Sequence, residues 1–202
     1  LCGGIGNRFQ PLQEDKFLVN FIGRPLLLHV IDMLRDAGLQ QFIFVANKGN
    51  VESLRLLVQG LDDIAFRVVL QEEHSGMAGA VEAAEEYLDG PVLIVSSNDV
   101  VEPAAYLKVV EAFEKGDSDV CLLASRKGQY FPGGYLVVDE QMQVSRIVEK
   151  PKPGEQPGDL INVVVHAHRD AHRLLDALSR AETERDDRYE VALDLLMREG
   201  RR

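Results

Sequence analysis

With 202 residues, 46% of them hydrophobic and 27% charged, the chain has the make-up of a folded domain with a real core, which excludes a disordered or fibrous protein. Its 33 acidic side chains outnumber 22 basic ones, and the net charge of −11 argues against nucleic acid as a partner, while leaving room for a small anion held by a few Lys and Arg. No apolar run reaches the roughly 20 residues that span a bilayer, so no membrane partner is expected, and Cys2 and Cys121, both in apolar runs, read as buried free thiols of a reducing, cytoplasmic setting.

The chain opens with LCGGIGNRFQPL, where Leu1 already lies inside an apolar run. The sequence therefore looks clipped in front, and a lost targeting peptide stays open. PLLLHVIDMLRDAG (25–38) has helical spacing, with Pro25 at the first helical position and glycine at the end. FIFVA (42–46) predicts a buried strand, NVESLRLLVQG (50–60) a helix, AFRVVL (65–70) a strand, GMAGAVEAAEEYLDG (76–90) a helix and PVLIVSS (91–97) a strand. That cadence is the signature of βαβ units and a mostly parallel sheet. EPAAYLKVVEAFEKGD (102–117) adds a helix and DVCLLAS (119–125) a strand. GGYLVVDEQMQVSRIVEKP (133–151) then predicts an antiparallel hairpin around a polar turn at 139–143. After the Pro/Gly loop 151–159, LINVVVHAH (160–168) predicts a last strand, followed by helices in 169–181 and 188–200. The economical reading is one α/β domain with a late antiparallel insertion.

The glycines raise the first chemical question. A dinucleotide fingerprint needs G-x-G-x-x-G between strand and helix. Here Gly3-Gly4-Ile5-Gly6-Asn7-Arg8 puts an arginine where that helix would start, and FQPLQEDKF after it has a proline and no helical period. No G-K-[ST] follows, so this is not a Walker loop either. Glycines after a buried strand can also serve only a tight turn. Arg8 and Lys16 favour a polyphosphate, which glycine N–H groups can approach and fixed cations can neutralise.

Other residues carry paired readings. Asp99 follows the 91–97 strand at its carboxyl end, where open α/β sheets bind ligands; a turn or helix-capping aspartate is the plainer alternative. Glu149-Lys150 at a strand end is either a site or a solvated pair. His166 and His168 share one face of a strand, with His172 in the next helix. No cysteine or acid completes a ligand spacing, so structural or surface roles are expected for them.

Taken together, LCGGIGNRFQPL and DKFLVNFIGRPLLLHVID resemble the opening signature of the sugar-1-phosphate nucleotidylyltransferases: G-G-x-G-x-R, then x-P-L, then a lysine before G-x-P-L. QEEHSGMAGAV, VSSNDV, GGYLVVD, VEKP and INVVV follow in family order, so the resemblance covers nearly the whole chain. It implies a Rossmann-like, three-layer αβα fold over residues 1–202. It also implies a magnesium ion and the joining of a nucleoside triphosphate to a sugar 1-phosphate with release of pyrophosphate. By the same resemblance Leu1, Gly3, Gly4, Gly6, Gln71 and Gly76 line the nucleotide, and Arg8 and Lys16 hold the triphosphate and leaving pyrophosphate. Asp99 holds the metal, Gly134, Glu149 and Asn162 meet the sugar, and Lys150 meets the sugar phosphate.

Two positions depart from the family. Lys16 is followed by Phe17 instead of proline, and none of Asp186, Asp187 or Asp194 has the context of a second metal ligand. Gln71 offers a donor and an acceptor that can pair with the imide edge of uracil or thymine, and the resemblance implies UTP or dTTP from a glutamine at this place; a strand-end glutamine facing water is its alternative. The implied enzyme is cytoplasmic and compatible with a homo-oligomer. A non-catalytic relative that binds NDP-sugar without turning it over is the competing reading.

Overall fold

In the computed structural model, which describes residues 1–4, 15–73 and 75–199, the first regular element is a single 3-10 turn, Lys16–Leu18. Gly6 and Arg8 lie outside the described residues. Asn20–Phe21 (β1) and Arg24–Pro25 (β2) then pair antiparallel around Ile22 and Gly23, whose φ angles of 49° and 83° give the left-handed turn that matches strand twist. Helix α1 (Leu26–Asp36) begins one residue later than the sequence pattern suggested. Pro25 is not its first helical residue but its N-cap, with extended ψ of 137°. Leu26, Leu27, Val30, Ile31 and Leu34 form the buried stripe of α1, at the spacing of one helix face.

Strand β3 (Gln41–Asn47) and β4 (Ala65–Gln71) pair in parallel from Gln41↔Ala65 to Asn47↔Gln71, joined by α2 (Val51–Val58). Leu54 and Val58 of α2 are fully buried, which contributes about 1.5–3 kcal/mol each. The first residues of the chain complete this layer: Cys2 N–H donates to Val45 O at 2.8 Å, and Ser97 N–H donates to Leu1 O at 3.2 Å. Helix α3 (Gly76–Ala83) stops short of the expected 76–90 span, and Glu85–Tyr87 tightens to a 3-10 turn. Arg67 of β4 lies 5.2 Å from the Tyr87 ring centroid, a cation–π contact that fastens this turn to the strand.

Strand β5 (Val92–Val95) and helix α4 (Pro103–Lys115) lead to the antiparallel part. There β6 (Val120–Arg126) pairs with β9 (Leu160–His168), and β7 (Gly134–Val138) pairs with both β8 (Val144–Glu149) and β9. The sheet order is β5-β9-β7-β8, with β6 beside β9. Antiparallel pairing therefore extends well beyond the expected hairpin. In that hairpin Asp139 Oδ1 accepts from Gln141 N–H and Gln143 N–H, both at 2.9 Å. Helix α5 (Ala171–Arg180) is capped by Asp170, which accepts from His172 N–H, and packs on α6 (Arg188–Arg198), which also packs on β8.

The described residues fall into two compact units, Leu1–Leu88 with Val95–Val110, and Asp89–Ile94 with Glu111–Arg202. Both cysteines are free; Cys2 is buried and Cys121 half-buried. Among the described residues no helix is long and apolar enough to cross a membrane.

Candidate functional site

In the first unit the glycine-rich start, the end of β4 and the start of α3 converge. Gln71, the last residue of β4, is 5% exposed, and its Nε2 donates to Gly76 O at 3.0 Å. A Cβ at Gly3 would stand 2.8 Å from Gln71 Oε1, and one at Gly79 would overlap the Ser75 hydroxyl. Gly76 opens α3 at φ 65°, a conformation that side chains resist. Gln71 is thus an inward amide tied to the loop beneath it, not a strand-end side chain facing water. Gly4 is exposed, while Leu1 is half-buried.

Two asparagines that the sequence pattern did not single out hold this loop. Asn47 Nδ2 donates to Gly3 O at 2.9 Å, and Asn50 Nδ2 donates to Cys2 O at 3.0 Å and to Asp15 Oδ1 at 3.2 Å. Asn50 therefore links the chain on both sides of the glycine loop, next to Lys16. Phe17 is 1% exposed and anchors the turn that carries the half-buried Lys16. An apolar side chain in place of the family's proline thus fixes the lysine by packing.

Asp99 lies between β5 and α4, half-buried, with Asn98 Nδ2 donating to its Oδ1 at 3.4 Å. Tyr106 of α4 is fully buried, and its hydroxyl has no hydrogen-bond partner among the described residues. Burial, and then the charge of Asp99, push its pKa up to about 12. A single carboxylate suits Mg²⁺, which takes one or two protein carboxylates and completes its shell with water and phosphate oxygens. Among the described residues no group of three or more His, Cys, Asp or Glu could hold a metal by itself.

In the second unit β7, β8 and β9 bring four of the expected residues together. Gly134 pairs in register with Glu149. A Cβ on Gly134 would stand 2.9 Å from Glu149 Oε2 and 3.5 Å from Asn162 Cβ. Lys150 Nζ lies 2.8 Å from Glu149 Oε1. Lys150 also has φ 44° immediately before Pro151, and its N–H donates to Gly133 O at 3.2 Å. A side chain in the left-handed region costs about 1–2 kcal/mol, and a following proline favours extended backbone instead. Such strain persists where the surroundings over-determine it, as functional sites do.

Glu190, in the first turn of α6, is a member of this cluster that sequence reasoning missed. Its pKa is raised to about 7, chiefly by burial and further by Glu149 and Asp187, against the opposing pull of its own N–H and of Lys150. His166 and His168 are buried, as structural histidines, and His166 Nε2 lies 2.9 Å from Asn162 Oδ1. His172 is exposed, 3.7 Å from Asp89. Asp187 is a structural residue: it accepts from Thr183 Oγ1 at 2.7 Å and pairs with Arg185 at the start of α6.

A family model described as Nucleotidyl transferase matches residues 1–186. The chain belongs to the nucleotidyl transferase family. It is 26% identical over 208 residues to a low-salt glycan biosynthesis nucleotidyltransferase of Haloferax volcanii, covering 99% of this chain and 57% of that protein. A UTP–glucose-1-phosphate uridylyltransferase of the same organism is 25% identical, over 100% of this chain and 83% of its own length. A mannose-1-phosphate guanyltransferase of Yarrowia lipolytica is 29% identical, over 82% of this chain and 47% of its own. The chain therefore spans about half the length of some curated relatives and most of another. The crystal structure of a UDP-glucose pyrophosphorylase complexed with UDP-glucose superposes with a TM-score of 0.83 at 15% identity, covering 100% of this chain and 86% of that one. The nucleotidyl transferase thus shares its Rossmann-like α/β fold.

Proposed function

We propose that this nucleotidyl transferase moves the nucleotidyl group of a nucleoside triphosphate, UTP or dTTP in preference to GTP or ATP, onto a sugar 1-phosphate in the presence of Mg²⁺. The observation that carries the reading is the convergence of Gly134, Glu149, Lys150 and Asn162 from three strands. A cation for a phosphate, a carboxylate and an amide for hydroxyls, and a glycine that leaves space together suit a phosphorylated sugar.

The anomeric phosphate oxygen of the sugar forms a bond to the α-phosphorus while the bond from that phosphorus to the β-phosphate bridging oxygen breaks, and pyrophosphate leaves. Such transfer needs positioning and charge neutralisation more than a protein nucleophile. Lys16 and Arg8 offset the triphosphate and the departing pyrophosphate. Lys150 holds the incoming phosphate, and Glu149 and Asn162 orient the sugar through its hydroxyls. Asp99 holds the metal, which when bound supplies further positive charge against the phosphates. Gln71 supports the pyrimidine preference through its buried amide. The curated relatives include one named for UTP and another for guanylyl transfer, so the base is decided by assay.

The test is pyrophosphate release with each of UTP, dTTP, GTP and ATP against glucose 1-phosphate and mannose 1-phosphate. Turnover is expected with a uridine or thymidine triphosphate and to vanish on chelation of Mg²⁺. Binding of UDP-sugar with no pyrophosphate released from any pair would instead identify a non-catalytic sensor.

A further inference from the structure

Beneath the sugar-side cluster lies a row of polar groups that the proposed chemistry does not use. His166 and His168 of β9 and Tyr189 of α6 are all fully buried. The Tyr189 hydroxyl lies 3.0 Å from His166 Nδ1 and 2.8 Å from His168 Nε2, and His166 Nε2 lies 2.9 Å from Asn162 Oδ1. The Tyr189 ring also stacks on the His166 imidazole at 5.6 Å between centroids. The same residues therefore form a continuous chain of contacts from His168 to the amide of Asn162.

The direction of that chain follows from the orientation of the Asn162 amide, whose Oδ1 faces His166, together with a count of hydrogens. An amide oxygen only accepts, so His166 Nε2–H must donate to Asn162 Oδ1. A neutral imidazole has one N–H, so in this arrangement His166 Nδ1 is bare and accepts from the Tyr189 hydroxyl, and the Val163 backbone that also faces the ring receives no proton from it. Tyrosine has one hydroxyl hydrogen, already committed, so His168 Nε2–H must donate to the Tyr189 oxygen. Burial keeps both rings neutral, which this scheme requires. Turning the Asn162 amide over would reverse every bond in the row at once, so the two orientations are distinct states of the whole chain.

We infer that His168, Tyr189 and His166 are positioning residues that hold the Asn162 amide with its oxygen inward, so that Nδ2 is offered as a donor to an acceptor oxygen of the sugar 1-phosphate. Asn162 Nδ2 has no partner among the described residues, while the Asn162 Cβ faces Gly134 in the sugar-side cluster. The far end of the row, His168, lines a small cavity with Asp119, Asp170 and Arg173, and Arg173 is itself held by Asp119 at 3.2 Å. The inference that a sugar is the acceptor rests on the proposed function; the polarity of the row does not.

Two measurements on the full chain separate these layers. In ¹⁵N-histidine spectra at pH 7, His166 and His168 are both expected as neutral Nε2–H tautomers. An Nδ1–H or doubly protonated ring at either position overturns the inference. In kinetics, Tyr189→Phe is expected to raise KM for glucose 1-phosphate or mannose 1-phosphate, whichever is turned over, by about tenfold, with KM for the triphosphate unchanged. His166→Gln, whose amide nitrogen can stand where Nε2 stood, is expected to retain wild-type KM, and His166→Leu to lose it. This pair carries the comparison if Tyr189→Phe does not fold. Equal losses in Gln and Leu, or a fall in kcat alone, overturn the positioning role. Should the wild type turn over neither sugar phosphate, the proposed function fails while the row is still read from the Asn162 side-chain NH₂ resonances. These are expected to shift in His166→Leu and to persist in His166→Gln; no shift in either defeats the inference.

Discussion

Replacing Glu190 by glutamine gives the protein a steeper dependence of stability on pH. Burial lowers His166 to about 3 and His168 to about 4 from the ordinary 6.5, with the proximity of the two rings adding to the effect on His166. In both cases acid protonates the unfolded chain first. The stability from keeping them neutral is complete above pH 6.5 and is lost as pH falls from there towards 4. Between pH 8 and pH 5 each ring removes about 2 kcal/mol, or about 4 kcal/mol for the two. Glu190 acts with the opposite sign, because its folded pKa of about 7 lies above the ordinary 4.5. Its ionised form is penalised in the folded state above pH 7, and protonation relieves about 2.5 kcal/mol of that between pH 8 and pH 5. The wild type should therefore lose only about 1.5 kcal/mol over this interval, the two effects largely offsetting. Glutamine has the shape and neutrality of the protonated acid. Glu190→Gln should start up to about 3 kcal/mol more stable than wild type at pH 8 and then lose about 4 kcal/mol by pH 5. Urea unfolding at both pH values, extrapolated linearly to water, measures this. Parallel losses in the two proteins, or a variant less stable than wild type at pH 8, would refute the account of Glu190.

Lys16→Ala should cost about 2.7–4 kcal/mol in transition-state stabilisation with the melting temperature retained, because Phe17 and not Lys16 anchors the turn. Wild-type turnover in the folded variant would remove Lys16 from the site. Asp99→Asn should abolish Mg²⁺-dependent turnover with little change in thermal stability; early melting with surviving activity would make Asp99 a structural residue. Gln71→Leu should lower kcat/KM for UTP or dTTP relative to GTP by about 1–3 kcal/mol. The ratio is the decisive quantity, since loss of the bond to Gly76 O would slow all triphosphates alike.

Most of the elements were legible in the chain because each must bury one face, and burial imprints its period on the sequence. The stripe of α1, the parallel strands β3 and β4 and the Asp139 turn all follow from local spacing. The β1–β2 hairpin did not, because two-residue strands carry no period and an isoleucine at positive φ runs against local preference. The 3-10 turn that replaces the last part of the expected α3 helix lies against Arg67 of β4, a contact between distant positions that local spacing does not reveal. In the site, the motif order named Gly134, Glu149, Lys150 and Asn162, and three strands do bring these four together. What the sequence could not show is the polar support behind them. Asn50 reaches Cys2 across 48 positions, Tyr189 meets His166 across 23, and Glu190 owes its raised pKa to burial beside Glu149 and Asp187. A histidine or a tyrosine looks the same in a sequence whether it faces water or another ring. Only the folded chain decides which polar atoms lose their water together, and there each must find a partner or bear the cost of desolvation.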